Sequence, residues 1–438
     1  MRTKQLRFFL LLFFLIAFGK SGYATHNRAG EITYEWIGAS SFDYKYRITI
    51  VTFTKTSSVN VDRPRLDSVY LGDGSGPTVF YRESKIQLAD DISKNTYKHV
   101  HTYAGNGRFL IRFTDPNRNE GVINIPNSVD VPFYVESELI INPYLGPNSS
   151  PILTYPPIDK GCVNRIFIHN PGAFDPEGDS LAYELVQCAG DGGVPIPGYT
   201  FPNASVSFSL DPFTGDLVWN SPVTPGEYNV AFHIKQYKQG RYAGYVRRDM
   251  QILIGQCTNN PPFIETVSDT CVLAGETLTF DVTNIDPDQD LVEISAYGAV
   301  FIDSLVGGDA ATYSRITVAS NDTVIGRFVW DAKCHHVRSS PYVAQFKARD
   351  VQPVDSISLV ALRSTIIRVI APAPASVTAV ANGNAIELNW STSPCAEAIG
   401  YYVYRRINNY PGTIDCPCDN GAPSYTGYQL LATLQSID

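Results

Sequence analysis

The stretch Gly215-Asp216-Leu217-Val218-Trp219 returns 111 residues later as Gly326-Arg327-Phe328-Val329-Trp330. Working outward from it, Asp175-Pro176-Glu177-Gly178-Asp179 returns as Asp286-Pro287-Asp288-Gln289-Asp290 at the same offset. Two features matched at one offset mark an internal duplication. Farther along, Val230-Ala231-Phe232 corresponds to Ala344-Gln345-Phe346 at an offset of 114, so the second copy carries a three-residue insertion and Gln236 stands opposite Asp350. A repeating unit of about 110 residues has the size of a two-sheet sandwich domain.

The rest of the chain reads in the same way. Apolar residues alternate with polar ones at Tyr46, Ile48 and Ile50; Phe109, Ile111 and Phe113; Val131, Phe133 and Val135; Val230, Phe232 and Ile234; Leu278, Phe280 and Val282; and Ile386, Leu388 and Trp390. This period of two predicts half-buried strands. Glycine turns such as Gly72-Asp73-Gly74 and Asn106-Gly107 separate them, and no long stretch holds a helical apolar stripe. The expected fold is all-β, a tandem of immunoglobulin-like β-sandwich domains with the last one incomplete. Proline-rich joints at 142–157, 259–262 and 371–374 mark the boundaries.

Composition limits the function. Hydrophobic residues make up 44% of the 438 and charged residues only 18%, which is the composition of a folding chain and not of a disordered one. The net charge of -9 argues against nucleic acid as a partner. At the start, Arg2, Lys4 and Arg7 precede an apolar run from Phe8 to Phe18, followed by small residues ending at Ala24. That is a secretory signal peptide over residues 1–24, too short in its apolar part to span a membrane. Its removal takes away Arg2, Lys4, Arg7 and Lys20 and no acid, moving the charge from -9 to -13. The mature chain is thus expected outside the cell or on its outer surface, with no membrane span.

Export makes the eight cysteines candidates for disulfides. Cys162 with Cys188 and Cys271 with Cys334 are the expected pairs, with Cys257, Cys395, Cys416 and Cys418 unassigned. Zinc ligation by Cys416-Pro417-Cys418 or Cys334-His335-His336 is the alternative, but no second ligand pair completes either set.

The aspartate-rich turns carry the sharpest chemistry. Calcium takes six to eight oxygen ligands, and acids at alternate positions of a tight turn aim several carboxylates at one point. Asp286, Asp288 and Asp290 have this spacing, and Asp350, ending the alternating run Ala344, Phe346, Ala348, stands where a distant strand would close the cage. The first copy offers Asp175, Glu177 and Asp179 but has Gln236 in place of Asp350, so its site is expected to be weaker or altered. The competing reading is an ordinary turn whose carboxylates accept local backbone N–H bonds. Asp73 and Asp115 offer a further carboxylate pair for which structural turns are the stronger reading. No zinc-protease, P-loop or nucleophile-elbow motif occurs, and the seven histidines share no motif with a nucleophile, so the chain is not expected to be an enzyme.

Four resemblances follow from these residues. Gly72-Asp73-Gly74 with the run His101 to Gly107 resembles the PKD-type sandwich. The duplicated middle resembles cadherin-like, dystroglycan-type modules, through the turns at Asp175 to Asp179 and Asp286 to Asp290 and the strand-end Asp350. The segment from Pro374 through Ile386 to Trp390 and Gly400 to Arg406 resembles a fibronectin type III module. Together with Thr25 to Tyr34 and Ile168 to Gly172, the whole resembles the gliding motility-associated surface proteins of the Bacteroidetes, which leave the cell through the type IX secretion machinery by a sorting domain that this chain does not show. The implied organisation is a signal peptide at 1–24, a PKD-like domain at 25–145, cadherin-like repeats at 146–257 and 258–370, and a partial fibronectin type III domain at 371–438 that continues past Asp438. The implied function is a cell-surface adhesin or structural component of gliding or attachment, stiffened by calcium, with other surface proteins or extracellular polysaccharide as partners. A glycan-binding accessory region of a larger secreted enzyme is the alternative, motivated by Tyr401, Tyr402 and Tyr410.

Overall fold

The computed structural model describes residues 27–57, 63–88, 91–320, 322–351, 357–396, 398, 400–412 and 421–434. The signal-peptide reading and Cys416-Pro417-Cys418 lie outside the described residues. Among those described, strands supply nearly all regular structure, and the only α-helix is Asp303–Val306, four residues long. The fold is all-β, built from tandem immunoglobulin-like sandwiches.

The second repeat shows the plan most simply. One four-stranded sheet runs Phe263–Glu265, Thr277–Ile285, Thr323–Asp331, Thr312–Ser320; the other runs Asp269–Leu273, Val360–Ile370, Tyr342–Val351, Leu291–Tyr297. Alternation sends Val282, Phe328, Trp330, Ala344, Phe346 and Ile367 inward, where they form one buried cluster between the sheets. The first repeat follows the same plan. Its sheet of Ile166–His169, Leu217–Pro222 and Ala204–Leu210 covers Val230, Phe232, Ile234, Met250 and Ile252. The matched tryptophans occupy matched places: both are buried, Trp219 Nε1 donates to the Asn203 carbonyl at 3.0 Å and Trp330 Nε1 to the Asp309 carbonyl at 3.0 Å.

The first repeat does not stand apart from the residues before it. Strand Arg241–Gly255 pairs with Gly226–Lys238, with Phe133–Ile141, with Asn27–Trp36 at Gly30 opposite Asp249, and in parallel with Ile158–Cys162. An 11-stranded sheet therefore runs through both regions, and its path closes on itself where Asn27–Trp36 meets Arg241–Gly255. Covered on both faces, Arg241–Gly255 buries a polar run. Arg248 holds Glu31 at 2.7 Å, and Asp249 holds Arg118 through two bonds of 2.9 and 2.7 Å, with Arg118 and Asp249 both at 0% exposure.

The disulfides differ from the expected pairs. Cys162 is bonded to Cys257 and Cys334 to Cys395. Parallel pairing sets Cys162 beside Gly255, which brings Cys257 within a Cα distance of 5.9 Å. Cys188 instead lies free and buried, in an apolar cluster with Val122, Ile125 and Tyr199. Cys271 is disulfide-bonded as well. In the last segment, Thr378–Asn382 pairs with Ala385–Asn389, and Tyr401–Arg405 with Gln429–Leu434. The expected half-burial of Ile386 and Leu388 is not seen: Ile386 is 61% exposed, because no described sheet covers that two-stranded ribbon.

Candidate metal centre

Both aspartate-rich turns are built on the first carboxylate. Asp286 Oδ1 accepts the backbone N–H groups of Asp288 at 2.9 Å and Asp290 at 3.2 Å; Asp175 Oδ1 does the same for Glu177 at 3.0 Å and Asp179 at 2.9 Å. This local bonding is the competing reading of the sequence, and it accounts for one oxygen of each residue. The fourth position needs a left-handed backbone. Gly178 takes it with φ 87° at no steric cost, and Gln289 takes it with φ 67°.

The two copies part at the second oxygen. In the second copy Asp286 is 1% exposed, yet its Oδ2 is buried without a hydrogen-bond partner. Carboxylate oxygens of Asp286, Asp288 and Asp290 lie within 4.8 Å of one another. Burial, with the neighbouring carboxylates of Asp290 and Asp288 adding to it, holds the Asp286 carboxyl above its ordinary range. Asp350 is also buried and is pushed up to about 6, by burial first and then by Asp286 and Asp290. Its Oδ2 accepts Asn259 Nδ2 at 2.6 Å and its Oδ1 the Leu359 N–H at 2.7 Å. Asn260 holds Asp288 through its backbone N–H at 2.6 Å and its side-chain amide at 2.8 Å. A buried acceptor with no donor among mutually repelling carboxylates is a donor set that a hard divalent cation satisfies, so Asp286, Asp288 and Asp290 could hold such an ion, whereas Asp350, with both oxygens bonded, stands outside that group.

In the first copy the corresponding space is filled by the chain itself. The buried Gln236 side-chain amide donates to Asp175 Oδ2 and lies 3.1 Å from Asp179 Oδ2. The Lys238 ammonium lies 3.8 Å from Asp179 and donates to the Pro147 carbonyl at 2.7 Å. Glu177 turns to Ser149, accepting its N–H at 3.1 Å and its hydroxyl at 2.7 Å. Burial still pushes Asp175 up to about 7. Asp175, Glu177 and Asp179 therefore converge, but on protein donors and a lysine.

Sequence reasoning missed residues that the same offset would have found. Subtracting 111 from Asn259 and Asn260 gives Asn148 and Ser149. Asn259 bonds Asp350 where Asn148 bonds Gln236, and Asn260 bonds Asp288 where Ser149 bonds Glu177. The joint before each repeat is thus part of its turn site. Elsewhere, Asp73 accepts His101 at 2.8 Å and Asp115 pairs with Arg63 at 2.8 Å, so each serves locally. Cys334 is consumed by its disulfide, and His336 Nδ1 accepts the Lys333 N–H at 3.0 Å, which removes the zinc alternative at that position. The Tyr401 hydroxyl accepts the Ser393 N–H at 2.8 Å and its ring meets Trp390 edge-on, whereas Tyr402 is 59% exposed.

No family model matches the chain, and no curated protein matches it. Solved structures of β-sandwich strings do. The sialic acid binding region of a Streptococcus sanguinis SK1 adhesin is 10% identical, covering 52% of this chain and 81% of its own at a TM-score of 0.20. Titin domains z1z2 in complex with telethonin are 14% identical, covering 51% and 98% at 0.17. Zebrafish RET cadherin-like domains 1 to 4 are 12% identical, covering 80% and 83% at 0.17. At these scores the likenesses carry no inference about function. No helix among the described residues is long and apolar enough to cross a membrane.

Proposed function

We propose that the chain is an exported, modular surface protein that acts in attachment or gliding by holding its sandwiches in a fixed array, and that calcium braces the second repeat. The observation that carries this reading is the buried, unpartnered Asp286 Oδ2 on a carboxylate that clusters with those of Asp288 and Asp290. Asp286, Asp288 and Asp290 would hold the ion, which supplies the positive charge this cluster lacks. Because Asn260 bonds Asp288, ion binding would also fix the joint that enters the repeat. The first copy keeps the geometry with Gln236 and Lys238 instead of an ion. In this reading no residue performs catalysis, the partners are surface proteins or extracellular polysaccharide, and secretion follows the type IX route.

The test is a deletion of the gene scored for surface attachment and spreading, with complementation by the wild type and by Asp286→Asn. The reading expects attachment to be lost on deletion, restored by the wild type and only partly restored by the variant. Attachment and spreading unchanged in the deletion strain would refute it.

A further inference from the structure

A cleft of about 430 Å³ opens where strands from three regions of the chain meet. Asn27–Trp36 and Lys45–Lys55 bring Arg28 and Lys55, Ile158–Cys162 brings Lys160, and Tyr342–Val351 brings Lys347 and Arg349. Lys347 and Arg349 are two apart on one strand, so both project from the face opposite buried Phe346 and Ala348. Ile92, Ile158, Leu253 and Val360 supply an apolar floor.

The charge here runs against the molecule. Five cations line the cleft beside two acids, Asp91 and Asp159, in a chain of net charge -9. Both acids already have donors. Asp91 accepts the Ser57 N–H at 2.7 Å and its hydroxyl at 2.6 Å; Asp159 accepts the Tyr155 hydroxyl at 3.1 Å and is bonded to His169 Nδ1 at 3.0 Å. Glu227 and Glu293 form ion pairs with Arg28 and Arg349 at 3.7 Å, and Lys347 Nζ lies over the Tyr155 ring, so the positive surplus of the cleft is offset in part. Arg28, 9% exposed, keeps a buried Nε with no hydrogen-bond partner. Like charges gathered at a cavity repel, and an anionic ligand relieves that repulsion.

We propose that this cleft binds an acidic saccharide through its carboxylate or sulfate groups. Guanidinium and ammonium groups suit these oxyanions, the apolar floor suits the carbon face of a sugar ring, and the volume holds one or two residues. The acidity of the rest of the surface repels long polyanions such as nucleic acid. The proposal deepens the attachment reading by naming a ligand class, and it does not involve the calcium site, so either can fail without the other.

The test is calorimetric titration of the full chain with an oligogalacturonate, a sulfated oligosaccharide of similar length, a neutral glucan oligosaccharide and inorganic phosphate. One or both acidic oligosaccharides should bind, more weakly as salt rises, and the neutral one should not. Lys55→Gln with Arg349→Gln, both on the exposed rim, should weaken binding at least about tenfold at unchanged melting temperature. Lys45→Gln, at the far end of the Lys45–Lys55 strand, should leave it unchanged. Equal binding of acidic and neutral sugars, binding of phosphate as tight as that of the oligosaccharide, or an affinity indifferent to the rim variant would overturn the proposal.

Discussion

Replacing Asp249 with asparagine removes the charge that holds the Arg118 guanidinium by two hydrogen bonds, of 2.9 and 2.7 Å, at a place where neither residue reaches solvent. Arg118 keeps the Ala189 carbonyl at 3.1 Å and the face of Phe133, neither of which neutralises it. Breaking a buried pair from one side costs about 3–5 kcal/mol, because the other charge stays buried. The affected unit is the sheet shared by residues 27–255, roughly 230 residues, for which about 4 kcal/mol corresponds to a fall in Tm of about 8–16 °C. Differential scanning calorimetry of the full chain should show the transition of this unit falling by that amount while the transition of the second repeat stays in place. Asp249→Leu with Arg118→Met should recover most of the loss, since a packed apolar pair can replace a buried ion pair at little cost. A shift below about 2 °C, or separate melting of the regions on either side of residue 145, would refute the view that they fold as one unit.

Other outcomes follow from the same structure. Phe174, from the first repeat, lies in the core of the second beneath Arg338 and Tyr342; Phe174→Ala should cost about 3–5 kcal/mol and loosen the two repeats, seen as faster proteolysis between them. His233 is held down to about 3 by burial, then by Arg247 and Lys235. Its folded value lies below its ordinary one, so its contribution is present above about pH 6.5 and is lost as pH falls toward 3. Between pH 7.5 and 5 this amounts to about 2 kcal/mol, and His233→Gln should flatten the pH dependence of chemical denaturation by that amount. Reducing the Cys162–Cys257 bond, which closes 95 residues, should destabilise the first repeat by about 4–5 kcal/mol in urea titrations.

Much of the fold was legible because sandwich strands announce themselves by alternation. Val230, Phe232 and Ile234 are all buried, as are Tyr46, Ile48 and Ile50. The offset of 111 placed Trp219 and Trp330 in matched cores for the same reason. Arg247 through Gln251 was not legible. Arg-Arg-Asp-Met-Gln reads as surface, and only the covering of both faces by a shared sheet turns it into an interior of paired charges. Disulfide pairing failed because it depends on a parallel strand neighbour, Ile158–Cys162 beside Arg241–Gly255, which spacing does not encode. At the turns the carboxylates were legible. The amide of Gln236 was legible as the residue standing in for Asp350, but the lysine beside it was not, because Lys238 lies two positions beyond the matched residue and its Nζ reaches back across the turn.

The proposed brace requires a cation held by the second repeat and not by the first. Isothermal titration of the full chain with calcium after chelation tests this directly. One site should appear, with Kd of about 0.1–1 mM, the range of extracellular modules. Asp286→Asn, which keeps the acceptor needed by the turn, should abolish it, and Asp175→Asn should leave it intact. No binding heat and no rise in Tm at millimolar calcium, or binding lost with Asp175→Asn and kept with Asp286→Asn, would contradict the account.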